Sequence, residues 1–337
     1  MQFVPLVDIR SCGPRRLVHE YPQQAKELIL ASRKPIGMGS ELIGRALIPL
    51  SDRVSRDWLL KTGNPYLEEI DHCADHLNMT GIHALNICFE WFCTSAVYAK
   101  DHGPTLTRVL DWMFPKLGEN LIVADQSGAA GDFYNITWPG VSGMFQGLAP
   151  ERFSASLNQA PMQCHGLTYF GDWLKNRKSV FQAGGLPPAH LLRRVFEEAK
   201  NYEDARERLS KTPVALPAIY ILGGIREGEG CVIERTENDY AIRTIESDRV
   251  CASNQFETRL NAIGHGWRPR SINSAGRVHQ ARALPLAMID DQFNWFKPPI
   301  ANSHTRLAMM ACAATGKLQV FGTHGVEQIT EIFRLRT

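Results

Sequence analysis

A cysteine, an arginine and an aspartate lie close together in one stretch of this 337-residue chain. Cys93 begins an apolar run, and Arg108 and Asp111 lie in the next run, after a turn at residues 101–104. A thiol beside a cation and a carboxylate is a combination used in nucleophilic catalysis. Arg108 and Asp111 are three residues apart, so on a regular strand they face opposite ways, and a bulge is needed to bring both to the thiol. The alternative is a buried, inert cysteine beside a surface ion pair.

The composition excludes several classes of protein. Hydrophobic residues make up 44% and charged residues 21%, close to globular averages, which disfavours a disordered chain. The net charge of +2 provides no field that would attract phosphate backbones, so we expect no nucleic-acid partner. None of the eight cysteines forms CxxC, and His72-Cys73 lacks further ligands at zinc spacing. We therefore expect neither a metal nor an organic cofactor.

The first residues and the hydropathy pattern predict where the protein resides. Residues 1–8 have neither a basic leader nor a long apolar core, and no apolar run approaches the roughly 18 residues that span a bilayer. These features predict a cytoplasmic protein. The sequence gives no indication of its oligomeric state.

Helices are predicted for residues 20–78, where apolar residues recur at helical spacing. Pro22 opens one helix, and Ser40 and Ser51 are expected to cap two more. From Gly81 the pattern changes to short apolar runs that are typical of strands, at residues 82–92, 95–99 and 106–112.

The remaining elements complete a layered arrangement. Helices are predicted at residues 187–199, at 203–209 and from Arg277 to about Met288. Strands are predicted at 134–141 and 153–157, and in a meander at 218–222, 230–235, 240–245 and 249–252. Two groups of strands separated by helices favour an α+β domain over alternating βαβ units.

Several blocks of sequence resemble one known family. Cys93-Thr94-Ser95, the glycine of the turn and the Arg-x-x-Asp-Trp of residues 108–112 resemble the hallmark of acid ceramidase and N-acylethanolamine acid amidase. Further similar blocks follow the family's order, at residues 85–90, 137–143, 153–158, 217–224 and 228–235. The resemblance implies a four-layer αββα N-terminal-nucleophile hydrolase fold with an N-terminal helical segment. It also implies an α-subunit of residues 1–92 and a catalytic β-subunit of residues 93–337, together forming one domain.

The same resemblance implies that the chain cuts itself. In such enzymes the nucleophile's side chain breaks the peptide bond that precedes it, which here joins Phe92 to Cys93. The new α-amine titrates near pH ~7.7–8.0 and can act as base toward its own thiol, whose reference pKa is about 8.5. Before cleavage that nitrogen is a non-basic amide, so we expect the uncut chain to be inactive.

The resemblance assigns a role to each remaining candidate. Arg108 would stabilise the thiolate, and Asp111 would hydrogen-bond and orient the α-ammonium. Asn254 would donate its side-chain amide to the tetrahedral oxyanion, a contact typically worth about 10²–10³ in rate. Asn158 could add a second contact to the substrate, and Trp138 is expected to line the substrate site. Each could instead be an ordinary charged, turn or core residue.

A second site arginine is implied downstream, at either Arg270 or Arg277. Residues 273–277 resemble an Asp-Ser-x-x-Arg motif of the wider superfamily, which favours Arg277. Asn273 stands where that motif has aspartate, so a supporting salt bridge is in doubt. Gln159 and Ala160 replace the usual Glu-Arg, which suggests a rebuilt rim of the acyl pocket.

Three readings of the function follow. The best match is an amidohydrolase that cleaves a small-molecule N-acyl amide, with a fatty acyl group, through a thioester on Cys93. Acyltransferases and bile-salt or penicillin-type acylases of the same superfamily would form that thioester too. A different possibility is an uncleaved, catalytically silent protein whose amphipathic N-terminal helices contact lipid or, transiently, a membrane surface. The apolar residues concerned are Ile29-Leu30, Ile43, Leu47, Ile48, Leu50 and Trp58-Leu59-Leu60, whose alternative role is to cover the strand core.

Overall fold

The computed structural model describes residues 1–36, 40–87, 91–264 and 266–335. The first quarter of the chain holds one short strand followed by helices, as listed next. They are β1 (Leu6–Asp8), α1 (Arg15–Glu20), α2 (Pro22–Ile36), α3 (Glu41–Lys61), α4 (Leu67–Leu77) and α5 (Ile82–Asn86).

Two of the expected boundaries in this region are wrong. Ser40 does cap α3, and its hydroxyl accepts a hydrogen bond from the Ile43 amide at 3.3 Å. Ser51 caps nothing, because α3 continues through it. Residues 82–86 form α5 and not the predicted strand, which begins only at Trp91; residues 88–90 lie outside the described part of the chain. A short apolar run suits a buried helix as well as a buried strand, so its period cannot decide between them.

The rest of the chain supplies the sheets and the helices that cover them. The strands are β2 (Trp91–Lys100), β3 (Gly103–Trp112), β4 (Ile122–Gly128), β5 (Gly131–Thr137), β6 (Gln146–Ala149), β7 (Phe153–Gln159), β8 (Met162–Gln163), β9 (Ala218–Gly223), β10 (Gly230–Arg235), β11 (Tyr240–Thr244), β12 (Arg249–Ala252), β13 (Trp267–Arg268), β14 (Thr305–Cys312), β15 (Lys317–His324), β16 (Glu327–Gln328) and β17 (Phe333–Arg334). The helices are α6 (Tyr169–Gln182), α7 (Pro188–Glu198), α8 (Tyr202–Lys211) and α9 (Ser274–Ala283), with short 3₁₀ turns at Arg259–Ala262 and Leu286–Met288.

Two large sheets lie face to face in the described structure. One runs β1-β4-β5-β6-β7-β9-β10-β11, and the other runs β12-β2-β3-β14-β15-β16 with β17 beside β15. Strands β2 and β3 pack on β7 and β9 across the gap between the sheets. Helices α7 and α8 cover the outside of the first sheet, and α9 covers the outside of the second. The predicted four-layer αββα arrangement is confirmed.

The alternation of residues along β2 and β3 defines two cores. Cys93, Val97 and Leu110 belong to the large core between the sheets. Tyr98 and Val109 point the other way, into a separate core beneath α9. Because successive strand residues face opposite sides, the position of each site residue on its strand decides which core it enters.

Strand β12 belongs to a different sheet from the one its spacing suggested. It was expected to continue the meander of β9, β10 and β11, but it crosses to the second sheet and pairs with β2, with Ala252 opposite Ser95. Hydrophobic spacing fixes which residues are buried and leaves the partner strand open. The crossing carries residues 253 and 254 to the edge of β2 beside Cys93.

Other boundaries differ more modestly, and some elements were not predicted. The strand expected at 134–141 ends at Thr137, and the last long helix begins at Ser274, three residues before the expected start. Helix α6 and strands β4, β14 and β15 were not predicted. In the part of the chain that the structure describes, no helix is both long enough and apolar enough to cross a membrane.

The N-terminal segment is joined to the sheets through several contacts. Strand β1 pairs in parallel with β4. The phenol of Tyr66 donates to Glu197 Oε2 at 2.7 Å, and the buried Arg193 on α7 binds Glu69 on α4 at 2.7 Å. These partners lie on opposite sides of Cys93 in the sequence, so the residues before and after it form one packed body.

Candidate active site

Cys93 lies in β2 and faces the core between the two sheets, where none of its surface is exposed. Its Sγ lies 3.7 Å from the main-chain oxygen of Leu157 on β7. Burial raises the pKa of the Cys93 thiol to about 11, although the nearby Arg108 guanidinium opposes this. The thiol is therefore protonated near neutral pH.

Arg108 faces the same side as the thiol. It lies on β3 opposite Ser95, and its Nη1 donates to the Ser95 hydroxyl at 3.2 Å and to Asn158 Oδ1. It is fully buried, and burial lowers the pKa of Arg108 while the neighbouring Cys93 and Asp111 raise it. Since Ser95 and Asn158 are neutral, a thiolate at residue 93 would supply the negative charge that a buried guanidinium needs.

Asp111 is on the opposite face of β3, toward α9. It accepts hydrogen bonds from the Thr305 hydroxyl and from Asn302 Nδ2, both at 2.7 Å, and Arg277 Nη1 lies 3.5 Å away. Burial raises the pKa of Asp111, and the Arg277 charge opposes that shift. Pairing between β2 and β3 is continuous from residue 91 to residue 112, so no bulge between these strands brings Arg108 and Asp111 to one face. Arg108 and Asp111 instead flank β2 from its two faces.

Asn254 follows β12 and holds the main chain of Cys93. Its Oδ1 accepts the Cys93 amide hydrogen at 2.9 Å and an Arg277 Nη2 hydrogen at 2.8 Å. Its Nδ2 donates to the Gln159 carbonyl at 2.8 Å. The side chain therefore holds the main-chain nitrogen of Cys93, and its amide hydrogens point toward β7.

Arg277 lies in the first turn of α9 and reaches the same peptide from the other side. Its Nη1 donates to the Cys93 carbonyl at 2.6 Å and to the Thr94 hydroxyl at 2.8 Å. Asn273 caps α9 with a positive φ of 50°, and its Oδ1 accepts from the Gly276 amide at 3.2 Å. Asparagine tolerates this left-handed conformation and is a good N-cap. Asn273 therefore fixes where α9 begins and so helps to position Arg277 in its first turn. Arg270 lies half-buried in the loop before α9.

Asn158 and Trp138 are both buried and both take part in the scaffold. Asn158 Nδ2 donates to the carbonyls of Ala252 and Ser253, at 3.2 and 3.0 Å, which ties β7 to the end of β12. The Trp138 indole donates to the Leu117 carbonyl at 2.7 Å. It belongs to a set of packed rings between the sheets, here called the aromatic cluster, formed by Trp91, Trp112, Phe114, Trp138 and Phe145.

Several supporting residues were not identified from the sequence. Ser95 binds both Arg108 and Asn158, and the Ser253 hydroxyl donates to the Cys93 carbonyl at 3.0 Å. Thr305 and Asn302 hold Asp111. Ser95 lay within the recognised block, but serines and threonines are common in strands, and no spacing linked residues 302–305 to residue 111. Among the described residues, no group of three or more His, Cys, Asp or Glu side chains is placed to hold a metal ion.

The family follows from a comparison with known proteins. Residues 93–267, just over half of the chain, match the family model described as linear amide C-N hydrolases, choloylglycine hydrolase family. The chain belongs to this family. The matched region of this choloylglycine hydrolase family member begins at Cys93 and includes Arg108, Asp111, Asn158 and Asn254.

The individual relatives of this family member include acid ceramidases and N-acylethanolamine-hydrolyzing acid amidases. It is 30% identical over 213 residues to the acid ceramidase of Heterocephalus glaber, which covers 57% of this chain and 53% of the relative. It is 31% identical over 179 residues to the N-acylethanolamine-hydrolyzing acid amidase of Mus musculus, covering 51% and 47% of the two chains. The chain thus spans about half the length of the curated relatives that it matches. The predicted resemblance to acid ceramidase and N-acylethanolamine acid amidase is confirmed.

A solved structure has the same fold. A Caenorhabditis elegans N-acylethanolamine-hydrolyzing acid amidase ortholog superimposes with a TM-score of 0.53 at 19% identity, covering 66% of this chain and 93% of that one. At this identity the similarity establishes the fold of the family member described here and no more.

Proposed function

We propose that this protein is an amidohydrolase that cleaves the amide bond of a small N-acyl amine through a thioester on Cys93, after cutting its own chain between Phe92 and Cys93. The observation that carries the proposal is the set of contacts around the peptide unit of Cys93. Asn254 binds its nitrogen, Arg277 and Ser253 bind its carbonyl, and Arg108 lies beside its sulfur. The start of the family match at Cys93 supports the same cleavage point.

Self-cleavage would proceed by transfer of an acyl group. The Cys93 sulfur attacks the Phe92 carbonyl carbon, the carbon–nitrogen bond breaks, and the thiol proton moves to the freed amine. Water then hydrolyses the thioester, which leaves a carboxylate on Phe92 and a free thiol and α-amine on Cys93. In the uncut chain the thiol is held neutral by burial, so this step must begin with loss of a proton that Arg108 makes less costly.

The mature site would repeat the same chemistry on the substrate. The thiolate attacks the substrate carbonyl, the α-amine passes the proton to the leaving amine, and water hydrolyses the thioester to a carboxylic acid. Asp111 would orient the α-ammonium, and Arg277 would hold the Cys93 carbonyl. Asn254 and Asn158 are the candidates to stabilise the oxyanion through their amides, once those amides turn from their present carbonyl partners.

An exposed apolar stripe supports contact with a lipid surface. Leu42, Ile43, Leu47, Leu50 and Val54 lie along one side of α3, with exposures between 40% and 80%. The prediction that Ile29, Ile48, Trp58 and Leu59 share this surface is wrong, because these four side chains are buried in the core. A membrane surface is one partner that would cover such an apolar strip. We propose that the stripe lets the protein collect a fatty N-acyl amide from a membrane, which adds to the amidohydrolase proposal.

Mass spectrometry of the purified protein combined with an amidase assay tests the proposal. We expect two chains that separate before Cys93, and release of amine from an N-acylethanolamine or a ceramide in proportion to the cleaved fraction. Transfer of the acyl group to an added amine in preference to water would make the protein an acyltransferase. An intact chain that binds lipid vesicles without turnover would favour the catalytically silent alternative.

A further inference from the structure

Trp91 and Cys93 lie on the same face of β2, two residues apart. Both enter the core between the sheets, so their side chains are separated by about 6.6 Å along the strand. Trp91 lies opposite Trp112 on β3, and their ring centroids are 5.7 Å apart. The Trp91 ring also packs edge-on against Phe145 at 4.9 Å. Trp91 is 2% exposed, and the site thiol therefore has an aromatic wall beside it.

The aromatic cluster continues away from Trp91. Trp112 stacks on Phe114 at 5.3 Å with an interplanar angle of 21°, and it meets Trp138 and Phe145 at 6.1 and 5.3 Å. Trp91 and Trp112 lie on strands of the second sheet, and the other three rings lie in loops next to β3, β5 and β6. Together they line the slot that the Trp91 indole occupies.

The proposed self-cleavage forms the same kind of thioester on Cys93 as a substrate would. When the Phe92 carbonyl carbon moves from the nitrogen of Cys93 to its sulfur, the product is a thioester with a free α-amine. An acyl-enzyme formed from substrate has the same connectivity, with the substrate's acyl group in place of residues 91 and 92. The uncut chain thus holds its own acyl group, that of Phe92, in the site, and the preceding residue, Trp91, places an indole ring about six bonds from the Phe92 carbonyl carbon on the same face as the thiol.

We propose that the slot now filled by Trp91 binds an aromatic ring at the far end of the substrate's acyl chain. The substrate class is then ω-arylalkanoyl amides, and a plain saturated chain is the poorer substrate. This inference rests on the proposed function, since it places a substrate in the Cys93 site. Edge-on and offset ring pairs contribute beyond simple apolar burial, and a linear alkyl chain cannot make them.

The test compares two fluorogenic amides of aminomethylcoumarin, one of 6-phenylhexanoic acid and one of decanoic acid. The two acyl groups have similar length and differ in the terminal ring. With protein shown by mass spectrometry to be fully cleaved, we expect kcat/KM to favour the phenyl compound at least about fivefold. Equal rates, or a preference for decanoyl, would overturn the inference and leave the amidohydrolase proposal intact. No hydrolysis of any amide by cleaved protein would instead overturn the proposed function.

A matched pair of variants distinguishes an effect on the Trp91 slot from a general loss of stability. Phe145→Leu keeps an apolar side chain but removes the edge-on ring, so the preference for phenyl over decanoyl should fall about three- to tenfold. Phe196→Leu makes the same change in the core near α7, where Phe196 contacts Phe133 and Phe153, and it should leave the ratio unchanged. A similar drop in both variants, or none in Phe145→Leu, would contradict the inference.

A product analogue tests the slot even if Phe145→Leu fails to fold. N-acetyl-Trp-Phe acid reproduces the two residues that self-cleavage leaves as an acid, and N-acetyl-Leu-Phe acid lacks the ring. In wild-type protein we expect competitive inhibition by the first at about tenfold lower concentration. Equal inhibition by the two dipeptides, or none by either, would count against an aromatic slot beside Cys93.

Discussion

The two buried arginines near Cys93 stabilise different charges. Arg108 lies on the thiol side of β3 and makes neutral hydrogen bonds, so the counter-charge it lacks would be a thiolate. Arg277 lies on the α9 side, where it pairs with the buried Asp111 and also grips the Cys93 carbonyl. One arginine is therefore suited to lower the cost of ionising the sulfur, while the other fixes the peptide that carries it.

Cys93→Ala should give a folded, uncut and inactive protein. The change removes the nucleophile and only a small volume from the core, so the free energy of unfolding should fall by about 1 to 2 kcal/mol. Mass spectrometry, circular dichroism and an amidase assay measure the three properties. Cys231→Ala is the control, because Cys231 is equally buried but lies on β10 in the other sheet. Wild-type turnover by Cys93→Ala would refute the mechanism.

Arg277→Lys should slow self-cleavage and turnover by at least about tenfold. Lysine keeps a charge for Asp111, but it lacks the planar fork that lets one side chain bind the Cys93 carbonyl and Asn254 together. Arg270→Lys should behave like the wild-type protein, which makes it the control for the alternative site arginine. The rate of appearance of two chains on a denaturing gel measures the effect. A defect confined to Arg270→Lys would reverse the assignment.

Helix α5 is held by a buried histidine between two carboxylates. His83 Nδ1 lies 3.2 Å from Asp52 on α3, and its Nε2 lies 2.8 Å from Asp71 on α4, which also binds Arg56. A neutral imidazole has one hydrogen, so both contacts are satisfied together only when the ring is protonated. Burial lowers the pKa of His83, but the two carboxylates outweigh it and the net shift is upward. A titratable contact therefore stabilises α5, the helix that precedes the proposed cleavage point in the sequence.

This contact should make stability depend on pH. Because the folded-state pKa of His83 is raised, its contribution is complete below the unfolded value of about 6.5 and is lost as pH rises through the folded value. Both Asp52 and Asp71 have lowered pKa values and stay ionised over that range. His83→Gln should therefore destabilise the protein by about 1 kcal/mol more near pH 5.5 than near pH 8.5 in urea unfolding. The exposed His279→Gln is the control, and a larger penalty at the higher pH would disprove the linkage.

The elements that the sequence predicted well are those with one dominant signal. The hairpin of β2 and β3 follows from two apolar runs around a turn, and α7 and α8 follow from their helical spacing. Helix α5 replaces a predicted strand because five residues are too few to show a helical period, and a short apolar run suits either element. β12 crosses from the first sheet to the second and pairs with β2, and the hydrophobic pattern of residues 249–252 does not indicate which strand they pair with. Arg277 was favoured over Arg270 through a motif, yet the cap at Asn273 that aims it depends on backbone geometry.

At the scale of the whole molecule, the cut that we propose would not divide the fold. Residues before Cys93 supply the edge strand β1, and Arg10 in the turn after it approaches Asp132 at 3.3 Å. The Asn64 amide contacts the buried ring of His190 at 2.9 Å. The segment 1–92 covers apolar surface that the rest of the chain would otherwise expose.

We expect fragments 1–92 and 93–337 to co-elute in size-exclusion chromatography after cleavage and to separate only in denaturant. The uncut Cys93→Ala protein should elute at the same volume. Reducing agent should have no effect, since the cysteines of the described residues are free thiols. Recovery of folded 93–337 without its partner fragment would show that the N-terminal segment is dispensable after the cut.

The distance in sequence between Cys93 and its partners has a consequence for the timing of maturation. Asn254 follows it by 161 residues and Arg277 by 184, and both contacts span the crossing of β12 into the second sheet. Contacts of such high order form late, because a long loop must close before they contribute. The proposed cleavage would therefore begin only after these late contacts have formed. A chain in which β12 has not paired with β2 would remain uncleaved. The ratio of cut to uncut protein then records how much of a preparation reached the native state.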